Sequence, residues 1–275
     1  MGLGLGLRLG LGGAGVLGAA GPIYDPDALT WFEAVEATGA TFGPDSATVS
    51  ANKAAWSDWV VAQKAAASPI AGRSNWQALT APGVGFIQPL MGLSTFNVPP
   101  LFGGRTFTGF VSGDHNPLLG LRAGTDRVIT SSRDWSSTPQ DDVGAGIWVT
   151  EASATASASA MLLGDTGNNA GQVRLDLPGR TRFRSATLSN NSVVAYNTGA
   201  FPRSAFLSRS DADSYTYRND VDVVINTTSD GINPGAVEFM PTIDARAGIC
   251  LYGLAFDTAA VAAACVALSE AITWP

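Results

Sequence analysis

The chain has 275 residues, of which 45% are hydrophobic, and it carries a net charge of -7 with only 14% charged residues. This length and apolar content suffice for one large β-domain together with a small helical unit. The acidic balance and the low density of charge argue against a nucleic-acid-binding surface and against a charged, monomeric cytosolic enzyme.

The first 22 residues form a Gly/Leu-rich arm with one early charge, Arg8. Period two places its leucines on one face of an extended strand. Because glycine loses more backbone freedom on ordering than any other residue, the arm cannot hold itself folded. We therefore expect another chain to bind it at a sheet edge or in a groove. The docking leucines of this arm are Leu3, Leu5, Leu7, Leu9 and Leu11.

Two alternative interpretations of the arm are a secretory signal peptide and a disordered tail. A signal peptide would place its positive charge before the apolar run, whereas Arg8 interrupts that run. A membrane span needs about 20 predominantly apolar residues, and the arm is shorter and rich in glycine. We expect no membrane insertion.

Residues 23–68 are predicted to form a helical hairpin. Asp25 is a suitable N-cap for the first helix, and Asp45 precedes the second. Trp56 and Trp59 lie three residues apart, so they share one face of the second helix. This aromatic face needs a cover, for which the candidates are the β-domain of the same chain, a sister subunit or a carbohydrate.

Residues 69–104 are rich in proline and glycine and are predicted to be an irregular linker packed over the β-domain, with Trp76 and Phe86 as anchors. From residue 105 onward, short apolar or alternating segments bounded by turns recur about every ten residues. This spacing predicts a mainly β, two-sheet sandwich of jelly-roll type over residues 105–275. The predicted strands are residues 106–111, 127–130, 146–149, 160–163, 172–177, 181–188, 192–196, 203–208, 214–218, 221–225, 236–240 and 249–256.

A final helix is predicted after Asp257, which is a suitable N-cap. Cys265 belongs to its apolar stripe, and Cys250 falls on the last predicted strand. Two cysteines do not make a disulfide framework. We interpret both as small buried hydrophobic residues, with a disulfide between them as the alternative.

Several stretches resemble a known family. They are the capped helical hairpin after the Gly/Leu arm, residues 110–126 (FVSGDHNPLLGLRAGTD), residues 208–218 (SRSDADSYTYR) and the closing strand and helix, residues 249–272. Together they resemble the head- or tail-fibre (spike) proteins of tailed phages and gene-transfer agents, whose main domain is concanavalin A-like. His115 and Pro117 depart from this family, which has an aromatic and a basic residue there. The resemblance implies a concanavalin A-like fold and a virion protein that touches the host envelope, and it brings no catalytic residues.

Catalytic residues are scarce in this sequence. His115 is the single histidine, and its turn-like surroundings predict a loop residue and not a general base. A glycan-cleaving enzyme would need two carboxylates about 5 to 9 Å apart, for which Glu151 and Glu238 are the candidates. We predict that the chain is not an enzyme, with a glycan-cleaving enzyme as an alternative.

Acidic and amide side chains two or three residues apart could bind Ca²⁺, but they are also ordinary turn residues. We expect no metal site and no cofactor, with Ca²⁺ as the alternative. The candidate groups are Asp165 with Asn168 and Asn169, Asp211 with Asp213, and Asp220 with Asp222.

Arginine placement points to a ligand. Arg180, Arg182 and Arg184 alternate along one predicted strand, so they share a face. Three guanidinium groups on one face could bind the carboxylates of an acidic surface polysaccharide through paired hydrogen bonds. The alternative is that these arginines pair with nearby aspartates or with a neighbouring subunit.

Three tyrosines, Tyr196, Tyr215 and Tyr217, lie near the arginines in the sequence and could stack on sugar rings. The alternative is that they are buried inside the sandwich. With the arginines, they complete the predicted glycan-binding residues.

We therefore expect a virion protein at the surface of a phage or phage-like particle. Its arm and hairpin would dock on capsid, portal or tail components, and its sandwich would bind a host surface polysaccharide. A homo-oligomer is expected, a trimer by analogy with fibres, with no nucleic-acid partner. The alternative is a purely structural decoration or adaptor protein.

Overall fold

The structure is a computed structural model that describes residues 22–124, 126–152, 161–163, 171–174, 180–183, 189–190, 201–219, 221–229, 235–239 and 245–275. For residues 152, 161–163, 171–174, 180–182 and 189–190 it describes the backbone alone. The docking leucines predicted in the arm lie outside these ranges. They are Leu3, Leu5, Leu7, Leu9 and Leu11.

The three helices that the sequence predicted begin where they were expected. The side chain of Asp25 accepts a hydrogen bond from the backbone N–H of Asp27 at 2.9 Å, and that of Asp45 accepts one from Thr48 at 2.8 Å. Asp257 caps the last helix in the same way. Each cap satisfies a backbone donor that has no partner within the helix. The helices are α1 (Pro26–Glu36), α2 (Ser46–Ala65), α3 (Asn75–Leu79) and α4 (Thr258–Ala271).

The remainder of the described chain is mainly β-structure. Short 3₁₀ turns at Ser112–Asp114 and Trp135–Ser137 interrupt it. The strands are β1 (Phe86–Pro89), β2 (Arg105–Thr108), β3 (His115–Asn116), β4 (Gly120–Arg122), β5 (Val128–Asp134), β6 (Val143–Ala152), β7 (Met161–Leu163), β8 (Gly171–Arg174), β9 (Arg180–Phe183), β10 (Ser189–Asn190), β11 (Arg203–Arg209), β12 (Ser214–Asn219), β13 (Val221–Asn226), β14 (Ala236–Phe239) and β15 (Ala245–Gly253).

These strands form two antiparallel sheets. The first sheet has the order β13-β12-β11-β6-β15-β4-β3, and β1 also pairs with β15. The second sheet has the order β10-β9-β8-β7-β14-β5-β2. The predicted fold class, a mainly β two-sheet sandwich with helices before and after it in the chain, is confirmed.

The first sheet separates two hydrophobic cores. The between-sheet core lies between the two sheets and contains Ile147 of β6 and Phe239 of β14. The cap core lies on the other face of the first sheet, where Trp148 and Ile249 pack with the helices. Residues 147 and 148 therefore belong to different cores, because successive side chains of a strand point to opposite faces.

The cap core covers the aromatic face of the hairpin. Trp56 and Trp59 are 0% and 2% exposed, and they pack in one cluster with Phe206 of β11 and Leu251 of β15. Gly146 makes room for Phe206, since a Cβ at this glycine would lie 2.3 Å from its ring. Of the covers considered from the sequence, the same chain's sandwich is the one observed.

The segment predicted to be an irregular linker, residues 69–104, contains two elements. It holds α3, and it holds β1, whose four residues are all buried and pair with β15 from Phe86↔Tyr252 to Pro89↔Ile249. No local pattern marks β1, because its partner lies far along the chain. Its pairing makes this segment part of the first sheet.

The described helices give no membrane span: none of them is long and apolar enough to cross a bilayer.

Candidate functional site

The basic strands of the second sheet are β8 and β9. Arg180 of β9 lies directly opposite Arg174 of β8, and Arg182 lies opposite Gln172. Only the backbone is described at these four positions, while Arg184 lies outside the described residues. The predicted glycan-binding role of Arg180, Arg182 and Arg184 stays a prediction.

The tyrosines predicted to stack on sugars are not at the surface where they are described. Tyr215 and Tyr217 are 1% and 3% exposed and belong to the between-sheet core. Burial alternates along β12, so both tyrosines point inward while Thr216 lies on the other side. The prediction that Tyr215 and Tyr217 contact glycan is wrong, and Tyr196 lies outside the described residues.

Two other arginines of the same region have structural contacts. Arg209 is fully buried, and its guanidinium donates to the backbone carbonyl oxygens of Phe183 at 2.9 Å and Thr227 at 3.2 Å. Arg218 pairs with Asp222 at 3.0 Å. These contacts join strands of the sandwich. The hypothesis that arginines bind a surface glycan therefore concerns the arginines of β8 and β9.

The Asp211 carboxylate, a candidate Ca²⁺ ligand, is used within its own turn. It accepts hydrogen bonds from the backbone N–H groups of Asp213 at 2.9 Å and Ser214 at 2.7 Å. Within the described residues, no three His, Cys, Asp or Glu side chains cluster as metal ligands would. The remaining candidates Asp165, Asn168, Asn169 and Asp220 lie outside the described ranges. The expectation of no metal site stays a prediction, with Ca²⁺ as its alternative.

His115 lies in strand β3 and not in the loop predicted for it. Its Nε2 is 3.0 Å from the carbonyl oxygen of Leu90. Burial, opposed by that hydrogen bond, lowers the pKa of the imidazole below its ordinary value, and the charge of Arg246 lowers the pKa further. The ring is therefore neutral near pH 7 and holds β3 against the segment after β1.

The two glutamates considered for glycan cleavage lie in different sheets. Glu151 is on β6 of the first sheet and pairs with Arg246 at 2.8 Å. Glu238 is on β14 of the second sheet, opposite Thr130. The fold therefore does not place them on adjacent strands.

Both cysteines are free and fully buried, as small core residues. Cys250 belongs to the between-sheet core and Cys265 to the cap core. Burial raises the pKa of the Cys265 thiol to about 12. Neither thiol is reactive near neutral pH.

A groove lies on the outer side of the hairpin, which we call the α1–α3 groove. Its volume is about 360 Å³, within the range of ligand-binding clefts. Helix α1 supplies one wall, α3 and its C-cap supply the second, and residues 100–102 supply the third. The lining residues are Asp27, Thr30, Trp31, Ala34, Trp76, Thr80, Pro100, Leu101 and Phe102.

The walls of the α1–α3 groove are tied to each other. Trp31 donates its indole N–H to the carbonyl oxygen of Pro99 at 2.9 Å, which joins α1 to the third wall. Lys64 of α2 contacts Asp27 at 2.5 Å, and its ammonium lies 5.4 Å from the Trp76 ring centre. One lysine therefore links all three helices of this region.

The rim of the groove is acidic. Lys64 also bonds both carboxylate oxygens of Asp25, at 2.7 and 2.9 Å. These hydrogen bonds and charges raise the pKa of Lys64 above its ordinary value, although burial opposes them as the largest single influence. Two carboxylates face one ammonium, so one negative charge is left at this end of the groove.

Sequence reasoning noted Trp76 only as an anchor and missed the groove. The groove forms because residues 100–102 lie beside α1 and α3, although these three segments are far apart in the chain. The long-range bridge between Phe102 and Ile87 fixes that third wall, and no local pattern shows it.

Comparison with known proteins gives matches among solved structures. No protein-family model and no curated protein matches the sequence. A Trypanosoma rangeli sialidase in complex with sialic acid matches 80% of this chain with 12% identity and a TM-score of 0.43. A mutant of that sialidase displaying trans-sialidase activity matches 81% with 12% identity and a TM-score of 0.41. The carbohydrate-binding module CBM66 from Bacillus subtilis matches 55% with 11% identity and a TM-score of 0.30.

All three matched proteins bind or act on carbohydrate by their descriptions. The matched region is 38% of each sialidase chain and 94% of the carbohydrate-binding module. At this level of identity and TM-score, the matches carry no argument about ligand or reaction.

The sequence-based prediction that the chain is not an enzyme is wrong as it stands. Two of the matched structures are a sialidase and a sialidase mutant with trans-sialidase activity. A shortage of candidate catalytic residues in the sequence was too little to exclude enzymes. An enzymatic activity of this chain is therefore not excluded, and no reaction is assigned to it.

Proposed function

We propose that this chain is a component of a phage or phage-like virion that binds a host surface glycan through the basic strands of its second sheet. The virion part is supported by the sequence resemblance of the hairpin, of residues 110–126 and of the closing strand and helix to fibre proteins. The Gly/Leu arm is the docking segment, and its partners are other virion proteins.

The glycan-binding part is carried by the register of β8 and β9. Directly opposed residues of an antiparallel pair share a face of the sheet, and so do residues two apart on one strand. Arg174, Arg180 and Arg182 therefore occupy one face of two adjacent strands. Three arginines at positions that share one face of the sheet suit a ligand with several carboxylates, such as an acidic polysaccharide.

The position of the helices is compatible with this assignment. They pack on the outer face of the first sheet, where Trp148, Phe206 and Ile249 meet α2 and α4 in the cap core.

Binding by one subunit would be weak, and several copies on one particle would raise avidity by orders of magnitude without new contacts.

The test compares arginine variants of the full chain on immobilised acidic and neutral polysaccharides and on host cells. We expect Arg180→Ala with Arg182→Ala to weaken binding to acidic glycan at least tenfold, about 1.4 kcal/mol. Lysine at both positions should give an intermediate loss, since it keeps charge without the planar fork.

The matched control is Arg122→Ala, which removes an exposed arginine from β4 of the first sheet. Equal binding by the double alanine variant and the wild type would remove the basic strands from the proposal. Absence of the protein from purified particles would contradict the virion assignment. Incorporation that survives deletion of residues 2–21 would contradict the docking role of the arm.

A further inference from the structure

The α1–α3 groove is preformed and partly apolar. Trp31 is 3% exposed at its base, and Leu101 and Phe102 are partly buried in the cap core beside it. The tie from Trp31 to Pro99 and the bridge from Phe102 to Ile87 hold the walls in place. A ligand would therefore bind without the entropy cost of ordering the groove.

The groove is complementary to the arm in apolar surface and in charge. Apolar side chains would pack on Trp31, Leu101 and Phe102, while the Asp27 carboxylate, which shares Lys64 with Asp25, could bind one further cation. The Asp27 side chain is 52% exposed, so it is accessible. From Leu3 to Leu11 the arm carries a leucine at every second position, and its single charged side chain is Arg8.

The arm is also long enough to reach another molecule. Its 21 residues before Pro22 span about 70 Å when extended, at about 3.3 Å per residue. An extended segment bound in a groove or at a sheet edge is a common mode of peptide recognition.

The entry of the chain into α1 favours a second copy as the source of the arm. Tyr24 packs edge-on against Phe32, with ring centres 5.4 Å apart, and Ile23 is 97% exposed. Neither residue lines the groove. The described residues before α1 thus lie outside the groove of their own chain, which leaves that groove open to the arm of a second copy.

We propose that the α1–α3 groove binds the Gly/Leu arm of a second copy of this chain, with leucines against Trp31 and Phe102 and Arg8 beside Asp27. This inference rests on the docking role given to the arm in the proposed function. It names the partner as the chain itself, so that arms and grooves link the copies of an oligomer.

The first test is disulfide trapping between full-length copies of different mass. One copy carries Leu9→Cys and the other Ala34→Cys, at an exposed lining position of α1. The native Cys250 and Cys265 are fully buried and do not compete. We expect a cross-linked heterodimer on non-reducing gels, and none when Ala51→Cys on the exposed side of α2 replaces Ala34→Cys.

Trapping no stronger than with Ala51→Cys would overturn the inference. So would a disulfide that forms only when Leu9→Cys and Ala34→Cys are in one chain, because the arm would then bind its own groove. Far-ultraviolet circular dichroism of each variant confirms that the exposed substitutions leave the fold intact.

The second test measures the oligomer by sedimentation. Ala34→Glu would place a charge in the groove, and we expect it to raise the dissociation constant of the oligomer at least tenfold. Ala51→Glu is the matched control and should leave it unchanged. A monomeric wild type, or equal constants for the two variants, would contradict the inference.

Glycan binding of the same proteins separates the two proposals. If Ala34→Glu weakens the oligomer and each subunit still binds glycan, both stand. An oligomer insensitive to Ala34→Glu, together with glycan binding lost in the Arg180→Ala, Arg182→Ala variant, removes the groove assignment alone.

Discussion

The cap core and the between-sheet core share strands but are built differently. In the cap core, tryptophans meet edge to face, as Trp31 and Trp56 do at 5.5 Å between ring centres. Their indole N–H groups bond backbone carbonyls of the segment after β1, such as Met91 at 3.1 Å from Trp56. In the between-sheet core, Trp135 is the one tryptophan among the described residues, and three buried tyrosines join it. One of them, Tyr252, bonds the hydroxyl of Thr138 at 2.9 Å.

This comparison shows that the helical hairpin is not a separate appendage, because it packs with strands of the first sheet in the cap core. Strands β6 and β15 give alternate residues to the two cores, as with Cys250 in one and Ile249 in the other. Central strands buried on both faces read as continuous apolar runs. We infer that removing the hairpin would expose much of the cap core, which the hairpin and α4 fill together.

Truncation in either core tests whether they unfold together, and it has the largest expected effect. Trp56→Ala in the cap core and Phe239→Ala in the between-sheet core should each lower the free energy of unfolding by about 3–5 kcal/mol. Both residues are 0% exposed, and Phe239 stacks on Phe86 at 5.5 Å. Urea unfolding followed by fluorescence and circular dichroism measures the loss.

We expect one transition in both variants, because the shared strands couple the cores. Two separate transitions, with only one shifted by Trp56→Ala, would show that the cap is an independent unit. Val61→Ala, at a position 49% exposed on α2, is the control and should change stability by less than about 0.5 kcal/mol.

Loss of the ion pair between Arg73, which follows α2, and Asp142, which precedes β6, has a smaller expected effect. Both guanidinium NH groups of Arg73 bond Asp142, at 2.7 and 2.8 Å, and Asp142 also accepts from the backbone N–H of Ala255. We expect Asp142→Asn to lower the free energy of unfolding by about 2 kcal/mol, the range of hydrogen bonds to charged groups. Urea unfolding at neutral pH is the measurement.

The ion pair of Arg246 with the exposed Glu151 serves as the comparison. Glu151 is 52% exposed, so Glu151→Gln should lower the free energy of unfolding by less than about 1 kcal/mol. Equal losses for Asp142→Asn and Glu151→Gln would mean that the ion pair of Arg73 and Asp142 adds nothing beyond a surface pair.

The smallest effect concerns acid pH and the cap of α2. The Thr48 backbone N–H, followed by the Thr48 hydroxyl, lowers the pKa of the Asp45 carboxyl below its ordinary value of 3.8. The folded state therefore favours the ionised form. Its stabilisation is complete above the unfolded pKa and is lost as pH falls through the folded pKa, so below about pH 4.

Asp45→Asn should make stability less dependent on pH in that window, because an amide accepts the same hydrogen bond without titrating. Unfolding midpoints measured in urea from about pH 5 down to about pH 2 give the comparison. Parallel curves for the wild type and the variant would contradict the assignment of this pH dependence to Asp45.

Much of the fold was predictable from local signals. Asp25, Asp45 and Asp257 mark helix starts, because a cap needs only a side chain and the next few backbone donors. Most described strands lie within or beside predicted ones. The exceptions are β1, β3, β4 and β10, which are two to four residues long and too short to show an alternating pattern.

The candidate sites were less predictable. Alternation along β12 showed that Tyr215 and Tyr217 share a face, but not that this face is the inner one. The three walls of the α1–α3 groove come from separate segments. Which face is buried and which segments meet are properties of packing, and the pattern of one segment does not contain them.

The sequence by itself determined the helix starts, the alternation of the strands and the mainly β class, since these depend on neighbours within a few residues. Only the tertiary structure decided that β1 joins β15, that the central strands of the first sheet are buried on both faces and that Trp31, Trp76 and Phe102 line one groove. Such contacts join residues far apart in the chain. Their stability comes from apolar surface buried jointly by several elements, which no single segment specifies.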